Sequence, residues 1–364
     1  MPADEAGTPT VAITGANGTI GYACVVEALR KNYRVRCIVR REDAFAKIKS
    51  GPSIQEFLPL ERLEHAVVPD NAAENAYDKA LAGATYVLHI AGAWPMPHLH
   101  PDNDIYHPFI KSTHNIIDAA RKSRSVKRIV FTQAGAGLVD SEAGDTYGTR
   151  MQSVLDEHVQ INPAALTYRP PLSSAHHAYC AAKAQSMRIV HDLHAANTLP
   201  FDMLQILPGT VIGPSDFART RALARAAMDR QTKALLFNDA RPRYAFGFVH
   251  VAQCAQMHVA ALDEAATGPA RGGHMPPWFV AAATSEAGVD GERVWARAVR
   301  MVQERFARAV AQGVFEIGVD KAPVNMPYRV DSSMTERLLL GGASIKGLEE
   351  CVSDVAEWYL ALDE

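Results

Sequence analysis

"VAITGANGTIGYA", residues Val11 to Ala23, is the stretch on which the fold turns. Thr10–Ile13 is a short apolar run suited to a buried strand, and Ile20–Lys31 carries helical spacing. Between them stand Gly15, Gly18 and Gly21. Gly15 permits a tight turn, Gly18 lets the backbone approach a pyrophosphate, and Gly21 lets the helix pack closely on the strand. The free N–H groups and positive dipole end at the helix start would then hold the anion. The stretch therefore predicts a dinucleotide site.

Outward from this motif the first half alternates strands and helices. Arg34–Val39, His65–Val68, Tyr86–Ile90, Arg128–Thr132 and Phe201–Leu207 read as strands, with helices at Ile110–Lys122 and Ala178–Asn197 among the segments between. Such alternation predicts a parallel sheet covered on both faces, an α/β chain of the Rossmann-type doubly wound class. The second half is less regular. Arg219–Thr232, Val251–Ala266 and "GERVWARAVRMVQERFARAVAQG" look helical, and Leu348, Val352, Val355, Tyr359 and Leu362 fall at helical spacing near the end. The expected division is a cofactor-binding sheet domain over 1–208 and a smaller, mainly substrate-binding part over 209–364, partly interleaved with it.

Composition narrows the function. The 364 residues are 48% hydrophobic and 21% charged, with a formal net charge of −3. That balance suits an ordinary soluble globular protein and gives no electrostatic reason for a nucleic-acid or anionic-membrane partner. The polar, acidic start "MPADEAGTPT" reads as neither secretory signal nor transit peptide, and no apolar run approaches the roughly 20 residues of a membrane span. Cys24, Cys37, Cys180, Cys254 and Cys351 are scattered, as in a reduced compartment. The expectation is a cytoplasmic monomer or homodimer with a small molecule as its partner.

The second strand chooses the cofactor. It ends "CIVRRED", with Arg40 and Arg41 where an NAD binder would place the carboxylate that reads the ribose 2′-OH. A guanidinium pairs instead with a 2′-phosphate, and Lys47 adds a second cation, although Glu42 and Asp43 pull the other way. NADP(H) is favoured. Further on, "HAYCAAKAQ" sets Tyr179 and Lys183 four apart on one helical face. A phenol of ordinary pKa about 10 is a weak proton donor at neutrality, and a nearby ammonium brings it towards the working range.

With these residues the chain resembles the extended short-chain dehydrogenases/reductases, in the branch of dihydroflavonol and cinnamoyl-CoA reductases and fungal aldehyde and methylglyoxal reductases. The likeness rests on "TGANGTIG", "VRRED", "VVPD", "VLHIAG", "SVKRIVFT", "YCAAK", "LPGTVIGP", "FVHVAQCAQMHVAAL" and the C-terminal "VDSSMTERLLL" with "SIKGLEE". It runs from Thr10 to Leu362 and is loosest over Phe217–Tyr244 and His274–Pro327. The resemblance implies that Thr14, Gly15, Asn17, Gly18, Thr19, Ile20 and Gly21 cradle the phosphates, with Arg40 and Lys47 on the 2′-phosphate. Asp70 and Asn71 would flank the adenine, and Ile90, Ala91 and Gly92 the ribose and nicotinamide. Pro208, Gly209, Thr210 and Val211 would close over the carboxamide, with Tyr179 as proton donor and Lys183 as its modulator and ribose anchor.

One motif departs from the pattern. The family reads "TSS" where this chain has "TQA", and the serine that polarises the substrate carbonyl aligns with Ala134. Thr132 lies two residues earlier on the same strand face and is the nearest replacement hydroxyl, while alternation points Gln133 away. Three readings follow. The chain is a reductase of an aldehyde or ketone, with Tyr179, Lys183 and Thr132, or a donor such as Ser173 or Ser174, at the reacting oxygen. Or the fold serves non-redox work such as isomerisation, cyclisation or elimination. Or it binds cofactor without catalysis. The intact Tyr–Lys pair favours the first. Trp94, Met96, Tyr244, Phe246 and Trp278 suggest an apolar or aromatic substrate, of the kind met in secondary metabolism. His98, His100 and His107 share a loop but form no defined ligand set, so no metal is expected. His176 and His177 just precede Tyr179 and read either as solvated loop residues, the favoured reading, or as groups that reach the substrate, and Cys180 reads as a small buried residue.

Overall fold

The computed structural model describes residues 7–138, 154–161, 163–239, 247–267, 276–287, 289, 291–318 and 329–364. Its strands are β1 (Thr10–Thr14), β2 (Arg34–Val39), β3 (Leu63–Val67), β4 (Tyr86–His89), β5 (Arg128–Thr132), β6 (Asp202–Pro208), β7 (Thr210–Ile212), β8 (Phe248–His250) and β9 (Phe279–Ala281). Seven form one sheet in the order β3-β2-β1-β4-β5-β6-β9, and β7 pairs with β8 in a second, smaller one. The pairs from β3 through to β6 are parallel. This is the Rossmann-type doubly wound α/β fold expected.

The order locates the site. The chain runs outward from β1 to β3, then returns to place β4 on the other side of β1. The connections diverge at the carboxyl ends of β1 and β4, and that crevice is where open α/β sheets take their ligands. Two-sided burial explains the apolar strands: Val11, Ala12, Ile13, Val87 and Leu88 are fully buried.

The chain divides into two compact units. The first comprises the described parts of Met1–Leu138, Gln160–Ile206 and Ala255–Trp278; the second, those of Val139–Val159, Leu207–Cys254 and Phe279–Glu364. Ala255–Trp278 joins the first unit because the buried Arg128 on β5 donates to the Ala261 carbonyl (3.0 Å) and Thr267 hydroxyl (2.8 Å), besides its 3.3 Å pair with Asp202. The second unit has its own core, in which Trp295, Phe315, Leu235, Val352 and Tyr359 meet.

Three expected long helices are each two shorter ones, and Val251–Ala266 divides into Val251–Ala260 and Glu264–Thr267. Arg219–Thr232 resolves into Arg221–Ala227 and Arg230–Phe237, because the Asp229 carboxylate accepts the N–H groups of Gln231 and Thr232 and caps a new start. The helix Gly291–Arg305 stops at Phe306 before a short turn at Ala307–Ala311. No helix among the described residues is long and apolar enough to cross a membrane.

Candidate active site

The glycine turn is built as its spacing predicts. Gly15 has φ +67°, the left-handed region, and a Cβ there would stand 3.0 Å from Ala91 Cα. A Cβ on Gly21 would stand 2.1 Å from the Gly15 carbonyl oxygen, so helix and turn touch backbone to backbone. Helix α1 (Thr19–Arg30) starts from Gly18 with no side-chain cap, and Asn17, Gly18 and Thr19 are exposed. Uncapped N–H groups on an open turn are what an anionic pyrophosphate requires. Ile20 behind them is half-buried.

Thr14 ties this turn to the next. Its hydroxyl oxygen accepts the N–H groups of Ile90 and Ala91, both at 3.0 Å. With both lone pairs used, it donates to His89 Nδ1 at 3.1 Å, which assigns the His89 proton to Nε2, facing Ser112 Oγ at 3.4 Å. Ser112 in turn lies 3.0 Å from the Tyr77 hydroxyl. Burial, with the Lys183 charge adding, pushes His89 down to about 3, so this chain of bonds is neutral throughout the working range. After β3, Asp70 closes a turn by accepting the Ala72 N–H, and Asn115 holds the Asn71 and Ala73 carbonyls.

The cations after β2 are unequal. Arg41 is engaged with Asp43 in a two-point pair, while Arg40 is exposed and carries no ion pair among the described residues. Lys47 is exposed on α2 (Glu42–Lys49).

Tyr179 and Lys183 come together on the helix Ala175–Ala196, whose start is capped by Ser174 accepting the His177 N–H. Phe109 packs edge-on against Tyr179 at 5.8 Å and lies under the Lys183 ammonium at 4.8 Å. Gly92 is glycine because a Cβ would run into the Phe109 ring at 2.4 Å. Trp94, 71% exposed, is tilted against Tyr179 with ring centres 5.9 Å apart, and Met96 nearby in sequence is also exposed. Lys183 donates to the Thr132 carbonyl at 2.9 Å.

Here the electrostatics differ from expectation. Lys183 does not draw the phenol down; burial dominates both groups. It pushes Tyr179 above its ordinary range and pulls Lys183 down to about 7. The ammonium is turned to a main-chain carbonyl, and Tyr179 holds its proton through the neutral range.

The exit of β5 accounts for each side chain of "TQA". The Thr132 hydroxyl meets His258 Nε2 at 2.8 Å, from the buried face of the helix Val251–Ala260. Gln133 is buried and donates to Gln205 (2.9 Å) and Ser186 (3.3 Å). Ala134 stays extended (φ −153°, ψ 149°) and half-buried, on the Thr132 face. Ser173 is exposed and bonded to His177 Nδ1 at 2.8 Å, and Cys180 is buried, 3.6 Å from His176. His100 caps the turn at Pro101–Tyr106 through Nδ1. Trp278 is buried, and Tyr244 and Phe246 lie outside the described residues.

Pro208, Gly209, Thr210 and Val211 belong to the second unit. There the Gly209 N–H bonds the Ala281 carbonyl, the Thr210 N–H the Gly247 carbonyl, and Gln231 the Thr210 hydroxyl. Residues that pattern reading passed over are His89, Phe109 and His258. His89 is a lone polar residue in an apolar strand and His258 a fully buried polar residue in "CAQMHVAAL", and each is hydrogen-bonded to a threonine at a strand exit.

A family model described as the NAD dependent epimerase/dehydratase family matches residues 11–274. The chain belongs to that family. It is 27% identical over 369 residues to Ketoreductase CTB6 of Cercospora nicotianae, covering 97% of this chain and 96% of that protein. It is 30% identical over 280 residues to the NAD-dependent epimerase/dehydratase FUM13 of Gibberella moniliformis, covering 71% and 73%. Among solved structures, yeast methylglyoxal/isovaleraldehyde reductase Gre2, complexed with NADPH, superposes with a TM-score of 0.72 at 20% identity, over 96% of this chain and 98% of that one. The family member described here thus shares its fold with a reductase and nearly its whole length with a ketoreductase.

Proposed function

We propose that the protein is an NADPH-dependent carbonyl reductase acting on an apolar or aromatic aldehyde or ketone. The observation that carries this reading is the cluster of Tyr179, Lys183, Phe109 and Trp94 beside the β5 exit. A bound reduced nicotinamide supplies a hydride to the carbonyl carbon, and the oxygen takes a proton, so the carbonyl becomes an alcohol. Tyr179 is the proton source: its O–H is intact at neutrality and stands beside the Lys183 ammonium, 5.8 Å from the ring centre, whose charge must offset the burial that makes the phenol a weaker acid. Lys183, held by the Thr132 carbonyl, brings a charge whose protonation changes near neutral pH beside the phenol and the expected ribose position. The exposed Trp94 ring and Met96 offer a flat apolar wall to the substrate. The turn after β1 suits the pyrophosphate, and Arg40, exposed and without an ion pair among the described residues, suits a 2′-phosphate. The family relationship and the ketoreductase relatives support redox chemistry.

A second reading rests on Ala134, which offers no hydroxyl to a carbonyl oxygen: the fold would then run an isomerisation, cyclisation or elimination. One experiment separates them. Cofactor affinities are titrated, and NADPH consumption is followed over a panel of aliphatic and aromatic carbonyls. Tighter NADPH than NADH binding with turnover of aromatic carbonyls supports the reductase; NADPH binding with no carbonyl consumed supports the second reading.

A further inference from the structure

Four charged residues in a row, Arg40, Arg41, Glu42 and Asp43, leave β2 and enter α2. Unsorted, they would neutralise one another and give a phosphate nothing to bind. The fold sorts them. Asp43 takes Arg41, with Oδ1 3.1 Å and Oδ2 3.3 Å from its guanidinium nitrogens. Glu42 is held from the neighbouring strand: its Oε2 lies 2.7 Å from His65 Nε2 on β3. His65 is itself fixed, stacked on the buried Phe45 ring at 4.1 Å with 16° between planes. Lys49 sits over that same ring at 5.1 Å. Arg40 is left without an ion pair among the described residues.

We propose that His65 is a specificity residue for the cofactor: by holding the Glu42 carboxylate on β3, it keeps the Arg40 guanidinium free for the 2′-phosphate of NADPH. This rests on the NADPH reading above. Glu42 is two residues from Arg40 and its side chain is 74% exposed, so once released it meets little resistance to pairing with Arg40. Carboxylate and phosphate then compete for one guanidinium. NADH has no 2′-phosphate and feels no such competition. Loss of the His65–Glu42 contact therefore lowers the preference between the two cofactors, which a general loss of structure would not do selectively.

The test measures dissociation constants of NADPH and NADH by fluorescence titration for the unmutated protein and for His65→Phe, Glu42→Gln and the double variant, with thermal melts as the folding check. His65→Phe keeps a ring on Phe45 and removes the bond to Glu42. The NADPH preference is expected to fall about threefold in His65→Phe, the scale of one exposed ion pair, and to return in His65→Phe/Glu42→Gln. His65→Gln retains a donor and is expected to retain the preference; its ratio against His65→Ala decides the matter if the Phe variant misfolds. An unchanged ratio on losing the donor, or a fall that Glu42→Gln does not restore, overturns the proposal and leaves the cofactor reading intact. An unmutated protein with no NADPH preference overturns both.

Discussion

The exits of β1 and β5 lie on the same edge of one parallel sheet, and they work in opposite ways. After β1 the main chain acts: Gly15 turns through positive φ, Gly21 brings helix to turn, and no side chain caps the helix that starts after Gly18. After β5 the side chains are what matter, and two of the three are committed elsewhere: Thr132 to His258 and Gln133 to Gln205 and Ser186. The third, Ala134, carries no donor. A site made of backbone depends on the absence of side chains, whereas a site made of side chains depends on what each one meets.

The largest effect is expected at the β1 exit. Gly21→Ala puts a methyl 2.1 Å from a main-chain oxygen that no rotamer can relieve. It should cost about 3 kcal/mol in a denaturant melt, and strain falling on the turn would weaken NADPH binding about a hundredfold. Normal melting and binding would break the claim that this exit is set by close backbone approach.

Next comes Thr132→Val, which takes the hydroxyl from His258. Stability should drop by about 1–3 kcal/mol, with turnover per folded molecule little changed. A variant that melts normally but has lost turnover would make Thr132 the catalytic hydroxyl and undo the contrast between the two exits.

Ala134→Ser sharpens it. Extended geometry places the new hydroxyl on the Thr132 face, and one added donor at the reacting oxygen should raise kcat on simple carbonyls about tenfold. The gain should vanish in Ala134→Ser/Tyr179→Phe, because both groups serve one oxygen. A neutral or slower Ala134→Ser enzyme with normal NADPH binding would show that another group already fills that place.

The smallest effect is in pH. Lys183 sits at about 7 in the folded chain, below the ordinary lysine value, so the unfolded chain binds more protons between the two. Its contribution is present above the ordinary lysine pKa and is lost as the pH falls through about 7. The melting temperature of Lys183→Met relative to the unmutated, ligand-free protein should therefore rise by a few degrees as the pH is lowered across that window, then level off. A difference that does not change with pH would mean that burial does not govern this lysine.

What could be read without coordinates follows the same division. The spacing of Gly15, Gly18 and Gly21 is a local pattern, as are the apolar runs of the central strands and the four-residue step from Tyr179 to Lys183. All of these recur in the structure. Helix breaks were hidden because Asp229 reads as one polar residue on a helical face until its carboxylate is seen to cap the next start. The partners of β5 were hidden by distance along the chain: His258 lies 126 residues from Thr132 and Gln205 lies 72 from Gln133. The return of Ala255–Trp278 to the first unit hangs on the same kind of contact, through Arg128. Local sequence also mispredicted Tyr179. The lysine four residues on was expected to lower its pKa, but burial of both groups sets the sign.

The central claim is that Tyr179 gives the proton to a carbonyl reduced at this site. The most direct measurement pairs two readings on the same preparations of unmutated and Tyr179→Phe protein: NADPH affinity by titration, and NADPH consumption with an aromatic ketone or aldehyde that the unmutated enzyme reduces. NADPH should bind both alike, while consumption should fall about 10²–10⁴-fold in Tyr179→Phe. A Tyr179→Phe protein that binds NADPH and reduces the carbonyl at the unmutated rate would contradict the account.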